Sequence, residues 1–285
     1  MVETFRVAPS AVGHIWPALD ILRATCEEVG VDFFVVGAAA RDLLLEHVYG
    51  VRRLRATKDV DVAVAVRDWE EYEAVIEQLV GAYGFERAPE PHRVRRGAII
   101  VDVVPFGEIA TSAGRIEWPG GTTAMSVLGY EQAYAATVGI VADEGPPVRV
   151  ASLPGVGVLK LVAWSEVPHR RPQDPVDLCA IMTSYDEVVG DRLYTDHADL
   201  FEDADFDLRV ASSRIYGRDV APLLGTAELR DTVVGVLEAN TEDDYDSKLS
   251  VAMGSECHPD YAFRLRCLRA WLQGIRDGLD GDSRK

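Results

Sequence analysis

Residues 58–66 read Lys-Asp-Val-Asp-Val-Ala-Val-Ala-Val and predict a buried β-strand. Side chains alternate between the two faces of a strand, so Asp59 and Asp61 project side by side while the valines fill the other face. Two like charges at the head of an apolar strand are costly without a compensating cation. Mg²⁺ prefers a few carboxylates together with water and phosphate, so the pair predicts a magnesium site. The alternative is a solvated Asp pair at a strand end.

A second apolar strand supplies a third acid. Residues 97–105 read Gly-Ala-Ile-Ile-Val-Asp-Val-Val-Pro, and Asp102 is the acid near the end of that strand. We expect Asp102 to complete the metal site, which requires that its side chain share a sheet face with Asp59 and Asp61.

A glycine turn precedes both strands. Residues 31–36 predict a short strand, and the following Gly37-Ala-Ala-Ala-Arg-Asp-Leu-Leu-Leu-Glu46 predicts a helix. The first N–H groups of a helix are unpaired and can hold phosphate, and a glycine there allows close approach. Gly37, Ala38 and Arg41 are therefore candidate phosphate contacts. The alternatives are that Gly37 only eases a tight turn and that Arg41 is a surface arginine.

These motifs resemble the DNA-polymerase-β-type nucleotidyltransferase superfamily. The resemblance rests on Val36-Gly-Ala-Ala-Ala-Arg-Asp-Leu-Leu-Leu45, on Thr57-Lys-Asp-Val-Asp61 and on Asp102. The first stretch is also similar to class II CCA-adding enzymes. Further along, Leu153-Pro-Gly-Val-Gly-Val-Leu-Lys-Leu-Val-Ala-Trp164 and then Arg170-Arg-Pro-Gln-Asp-Pro-Val-Asp-Leu178 look most like AbiEii-type nucleotidyltransferases. Those are bacterial proteins that often act as toxins of toxin–antitoxin or phage-defence pairs.

The resemblance implies an α+β fold with two domains. A nucleotidyltransferase domain at 1–152 would hold a mixed β-sheet flanked by helices, and a mostly helical domain would follow at 153–285. The helical periodicity of the second half predicts helices near 155–166, 174–189, 226–239 and 259–278.

The resemblance also implies the reaction and its site. A nucleoside monophosphate would move from an NTP to an acceptor hydroxyl, with two Mg²⁺ ions, or Mn²⁺, held by Asp59, Asp61 and Asp102. The implied nucleotide-binding residues are Gly37, Ala38, Arg41, Lys58, Lys160, Asp174 and Asp177. Lys160 would lie off the packed stripe of its helix and meet the triphosphate. The alternative is a structural ion pair between Lys160 and Asp177.

Three classes of function stay open at this point. A toxin-type enzyme would act on a tRNA or protein acceptor and have a cognate antitoxin. A second class would modify a small cationic molecule such as an aminoglycoside, attracted by the acidic second half of the chain. In the third, the fold would be a non-catalytic nucleotide- or partner-binding module, and the presence of all three acids argues against it.

The charge distribution limits the partners. The net charge is −18, with 17 basic and 23 acidic residues in 1–172 and 12 and 24 in 173–285. Extended duplex DNA requires a basic face, so that partner is disfavoured. Arginines nonetheless cluster beside each motif, which indicates either local attraction for phosphates or ordinary loop charge; these are Arg52, Arg53, Arg55, Arg93, Arg95, Arg96, Arg170 and Arg171.

Compartment is predicted from what the sequence lacks. No apolar stretch reaches the ~18–20 residues of a membrane span, and the first residues have no signal pattern. The cysteines at 26, 179, 257 and 267 form no C-x-x-C pair. We therefore expect a cytoplasmic protein with no membrane partner, with reduced, inert thiols and with no zinc site.

Overall fold

The computed structural model describes residues 2–13, 15–51, 59–121, 124–142, 145–202 and 205–282. The chain forms two compact units, Met1–Val156 and Gly157–Lys285. The domain boundary at residue 152 stays a prediction. None of the helices in the described ranges is long and apolar enough to cross a membrane.

The first unit is built on a mixed eight-stranded sheet, as predicted. The strands, in chain order, are β1 (Thr4–Arg6), β2 (Asp32–Val36), β3 (Asp59–Ala65), β4 (Glu86–Arg87), β5 (Arg93–Arg96), β6 (Ile99–Phe106), β7 (Arg115–Glu117), β8 (Ala124–Ser126), β9 (Thr137–Val141) and β10 (Val148–Ala151). The sheet order is β1-β9-β10-β2-β3-β6-β5-β4, and β7 and β8 form a separate hairpin. At its centre β3 runs antiparallel to β2 and parallel to β6.

Helices cover both faces of this sheet. They are α1 (Pro9–Val12), α2 (Trp16–Val29), α3 (Gly37–Asp42), which continues as a π-helix over Leu43–Val48, α4 (Trp69–Tyr83) and α5 (Tyr130–Ala135). The alternation predicted for β3 is confirmed, because Val60, Val62 and Val64 are buried. On the face that carries the acids, α5 packs its tyrosines against Phe34 and Phe106.

The second unit is helical, as predicted. It contains most of α6 (Leu153–Glu166), followed by α7 (Asp174–Thr183), α8 (Tyr185–Val189), α9 (Arg192–Thr195), α10 (Leu208–Val220), α11 (Ala227–Ala239), α12 (Lys248–Cys257) and α13 (Tyr261–Asp282). Three 3₁₀ turns connect them, at Pro168–Arg170, Ala198–Glu202 and Ala221–Leu223. The single helix predicted over 174–189 is two helices, and α10 and α12 were not predicted. α10 lies so close to α13 that a Cβ on Gly217 would meet the Trp271 backbone.

The cysteines differ from the prediction at one pair. Cys179 of α7 and Cys257 of α12 form a disulfide, with their Cα atoms 5.8 Å apart. The expectation of four reduced thiols is therefore wrong for these two residues. Cys26 and Cys267 are free and buried, and burial raises the pKa of Cys26 to about 12 and that of Cys267 to about 11. Both stay protonated and unreactive near neutral pH.

Candidate functional site

The three predicted acids lie on one face of the sheet. β3 and β6 are parallel neighbours, and their register pairs Asp61 directly with Asp102. Directly paired residues share a face, and Asp59, two residues before Asp61, shares it as well. Asp102 is buried, whereas Asp59 and Asp61 are partly exposed. The sheet thus gathers acids from two strands that lie far apart in the sequence.

Gly37 brings the backbone of the next element against this face. β2 pairs with β3 so that Val36 lies opposite Asp61, and α3 begins at the following residue. Gly37 has φ +65°, and a Cβ on it would lie 2.9 Å from the carboxylate carbon of Asp61. A positive φ and this close contact both favour glycine over any residue with a side chain. Gly37 therefore does more than ease a turn, because it also lies against Asp61.

Arg93 is a cation that faces these acids. Its register partner across β5 and β6 is Asp102, so the two side chains lie on the same face. Arg93 donates from Nε to Asp102 Oδ1 at 2.6 Å and from Nη2 to Oδ2 at 2.7 Å. The same Nη2 lies 3.7 Å from Asp59 Oδ2. The hydrogen bonds that Arg93 donates to Asp102 raise the pKa of Arg93, so the guanidinium stays charged. We call Asp59, Asp61, Asp102 and Arg93 the open cluster.

Arg41 lies on α3 one turn after Gly37. It is buried, and it donates from Nε and Nη2 to Asp42 Oδ1 at 2.9 and 2.6 Å. The alternative that Arg41 is a surface arginine is therefore wrong. A buried guanidinium needs a carboxylate partner, and the neighbouring residue supplies one.

A second set of charges lies in the helical unit. Lys160 of α6 is buried and places Nζ 2.7 Å from Asp174 Oδ1 and 2.8 Å from Asp177 Oδ2 of α7. Burial acts to lower the pKa of Lys160, but the two carboxylates outweigh it and hold that pKa above its usual value. We call these three residues the closed cluster. The expectation that Lys160 lies off the packed side of its helix is wrong, since residues 153–162 are buried on every side. The contact between Lys160 and Asp177 that the alternative described is present, while the nucleotide role of these residues stays a prediction.

Comparisons with known proteins find remote structural likeness. No family model matches the chain, and no curated protein matches it either. The antibiotic-resistance factor ANT(2'')-Ia is 17% identical, with 68% of this chain and 95% of that chain covered and a TM-score of 0.34. A nucleotidyltransferase-like protein from Paracoccidioides brasiliensis is 14% identical, with 85% and 92% covered and a TM-score of 0.42. A CCA-adding enzyme in complex with ATP is 16% identical, with 84% and 62% covered and a TM-score of 0.31. Such values assign neither a family nor an activity to this chain.

The donor set of the open cluster suits a hard divalent cation. Three carboxylates share one sheet face, and carboxylate oxygens are the ligands that Mg²⁺ and Mn²⁺ prefer. In the described part of the chain, no three His, Cys, Asp or Glu side chains are gathered closely enough to hold a metal as they stand. Arg93 engages both oxygens of Asp102 instead. The residues fit a divalent cation in chemistry and in face, and Asp102 would exchange its arginine partner to join them.

The remaining predicted positions are on α3 and in the segment that precedes β3 in the sequence. Ala38 is the second residue of α3, next to Gly37. Lys58 and the arginines at 52, 53 and 55 lie outside the described residues.

The sequence pointed to an arginine cluster around Arg93 but did not predict that Asp102 is the partner of Arg93. The available signal was the hairpin turn at Gly97, since an arginine a few residues before that turn pairs with an acid the same distance after it.

Proposed function

We propose that this chain is a metal-dependent nucleotidyltransferase, which moves a nucleoside monophosphate from an NTP to an acceptor hydroxyl. One observation carries the proposal: the β3–β6 register sets Asp61 beside Asp102, with Asp59 on the same face and Gly37 against Asp61. Three carboxylates and a close backbone approach are what binding of a metal-bound triphosphate requires.

Each residue of the open cluster has a proposed role. Asp59, Asp61 and Asp102 would hold Mg²⁺ or Mn²⁺, which would supply positive charge to phosphoryl transfer. Asp102 accepts the proton of the attacking hydroxyl, because its carboxylate is the most enclosed of the three.

The phosphates of the NTP would meet the turn that precedes α3. Gly37 and Ala38 offer backbone N–H groups at the start of α3, where no side chain intervenes at Gly37. Arg41 and Lys58 are proposed as further phosphate contacts. Lys58 is the residue directly before Asp59, so its charge is close to the acids in sequence.

Lys160, Asp174 and Asp177 are proposed nucleotide-binding residues on separate grounds. The resemblance implies this role, and a charged lysine is a point donor for phosphate. Its ammonium is engaged by two carboxylates in the closed cluster. A nucleotide role therefore requires that Lys160 exchange at least one of them for a phosphate, and the variant discussed below measures this.

The acceptor is proposed by charge. The net charge of −18 opposes a polyanion, and the surplus of acids in 173–285 favours a small cationic acceptor or a basic protein surface. A tRNA acceptor and a cognate antitoxin remain the toxin-type alternative. A cytoplasmic location is proposed with either acceptor, although Cys179 and Cys257 are not the reduced thiols expected there.

The decisive experiment is transfer of label from each α-labelled NTP, with Mg²⁺ or with EDTA. Acceptors to be offered are total RNA, a cell lysate and an aminoglycoside mixture. We expect Asp59→Asn and Asp61→Asn to abolish labelling while the protein stays folded. The matched control is Asp32→Asn, because Asp32 lies on the same sheet face at the far end of β2. Labelling that persists in Asp61→Asn would show that the open cluster does not carry the reaction. Binding of NTP without labelling would favour the non-catalytic module.

A further inference from the structure

Arg93 engages the acid that the proposed reaction needs for metal binding. Both oxygens of Asp102 accept hydrogen bonds from the Arg93 guanidinium, at 2.6 and 2.7 Å. A two-point fork of this kind is the strongest common form of carboxylate–cation contact. An oxygen that faces a guanidinium in this way presents the same lone pairs that a metal ion would take. Arg93 and a cation therefore compete for Asp102.

The arrangement holds because Arg93 and Asp102 are fixed by the sheet. They are register partners on antiparallel strands β5 and β6, so backbone hydrogen bonding sets them side by side. Arg93 also lies within 3.7 Å of Asp59 on β3, and it thus spans two strands. The side chains stay partly open to water, with 30% of Arg93 and 39% of Asp59 exposed. Solvent can therefore take part in an exchange of partners.

The four residues of the open cluster have formal charges that sum to −2, from three carboxylates and one guanidinium. Such a set attracts a divalent cation. A cation that also takes Asp102 releases the guanidinium, whose planar fork then matches a phosphate as well as it matched the carboxylate.

We infer that Arg93 is the resident counter-ion of the open cluster, displaced from Asp102 by a divalent cation and transferred to a phosphate of the bound NTP. The inference rests on the proposed function and extends it with a residue that no motif assigned. Without a cation Arg93 holds Asp102 in position. With cation and NTP it contributes to triphosphate binding.

Arg95 provides a matched control. It lies on the same strand and face as Arg93, two residues along, and pairs with Glu86 in solvent. Arg95→Met and Arg93→Met therefore remove the same charge from the same strand, but only Arg93→Met removes a partner of the acids. Arg93→Lys keeps the charge and loses the fork, and it serves if Arg93→Met fails to fold.

The first measurement is Mn²⁺ binding to the nucleotide-free full chain, monitored through the paramagnetic resonance signal of free Mn²⁺. We expect Arg93→Met to bind Mn²⁺ about tenfold more tightly than wild type, which corresponds to about 1.4 kcal/mol. Arg93→Lys should fall between the two. Arg95→Met should stay within about twofold, because an exposed pair has little influence. An Mn²⁺ affinity in Arg93→Met equal to that of Arg95→Met would overturn the competition.

The second measurement is the NTP dependence of labelling in the same variants. We expect Arg93→Met to raise KM for the NTP about tenfold despite its tighter Mn²⁺ binding, since one phosphate contact is lost. Tighter Mn²⁺ binding with an unchanged KM would overturn the transfer to phosphate. Labelling by wild type with no effect of Arg93→Met on either quantity would sink this inference and leave the proposed function standing. Tighter Mn²⁺ binding by Arg93→Met, in a protein whose wild type never labels an acceptor, would leave the competition for Asp102 standing and would rule out the proposed function.

Discussion

The open and closed clusters contain similar groups in opposite surroundings. In the closed cluster Lys160, Asp174 and Asp177 have side chains only 9%, 9% and 6% exposed. In the open cluster Asp59 and Asp61 are partly exposed, Asp102 is buried, and Arg93 faces the acids with 30% of its side chain exposed. The closed cluster holds its lysine and carboxylates together away from water, whereas part of the open cluster can be reached from solvent. We therefore expect the closed cluster to matter most for stability and the open cluster, under the proposed function, to matter most for ligand binding.

The strongest way to break this contrast is to remove the cation of the closed cluster. Lys160→Met leaves two buried carboxylates without their partner, so we expect a loss of about 3–5 kcal/mol in the free energy of unfolding. Lys248→Met is the control, because Lys248 is exposed at the start of α12. Urea unfolding of both variants measures the difference.

The same variant tests the nucleotide role of Lys160. Calorimetric titration with NTP on the folded fraction should show weaker binding if the ammonium contacts a phosphate. A change in unfolding free energy below 1 kcal/mol, together with weaker NTP binding, would move Lys160 from the structural set to the binding set.

The disulfide sharpens the contrast, since it anchors the helix that carries both acids of the closed cluster. Cys179 lies on α7 with Asp174 and Asp177, and its bond to Cys257 closes a loop of 78 residues. We expect dithiothreitol to lower the free energy of unfolding by about 2–4 kcal/mol. Cys257→Ser should be as unstable as the reduced wild type and should not respond to dithiothreitol. A wild type that is equally insensitive would mean that the bond contributes nothing to stability.

Gly37 separates a backbone effect from a site effect. Gly37→Ala and Gly84→Ala each place a side chain at positive φ, +65° and +68°, and each should cost about 1–2 kcal/mol of stability. Around Gly84 a Cβ meets nothing within 4 Å, whereas at Gly37 it meets Asp61. We therefore expect only Gly37→Ala to lose Mn²⁺ affinity, by about tenfold. Equal Mn²⁺ affinity in the two variants would separate Gly37 from the metal site.

The smallest expected change in stability is that of Asp102→Asn. Asparagine keeps a hydrogen-bond acceptor beside Arg93, whose side chain is 30% exposed and can turn to water, so the free energy of unfolding should shift by less than about 1 kcal/mol. Asp177→Asn in the closed cluster should shift it by several times as much. Thermal unfolding of the two variants measures both shifts. Equal shifts would contradict the contrast between the open and closed clusters.

The sequence predicted what depends on local pattern. Alternation in residues 58–66 predicted the faces of Asp59 and Asp61, and the glycine at the start of α3 marked the turn. The sequence did not predict the direct pairing of Asp61 with Asp102, because a parallel register depends on contacts between distant segments. Lys160 was misplaced because the apolar residues of α6 suggested one packed side, while residues 153–162 are buried on every side.

Two further features left no local signal. α10 was missed because Leu208–Val220 mixes serine, arginine and glycine with apolar residues, and its close approach to α13 at Gly217 shows only in three dimensions. The partners of the disulfide are 78 residues apart, and no motif surrounds either one.

The pairing of Asp61 with Asp102 has a consequence for how related chains are expected to vary in length. The two acids are 41 positions apart in the sequence, yet their alignment depends only on the phase of β3 against β6. Insertions or deletions in the connection, even of whole turns of α4, would leave that phase intact. A single extra residue inside β6 before Asp102 would turn the carboxylate to the opposite face. The site therefore depends on whether Asp61 and Asp102 point to the same face of the sheet. The length of the chain between β3 and β6 can change without affecting this.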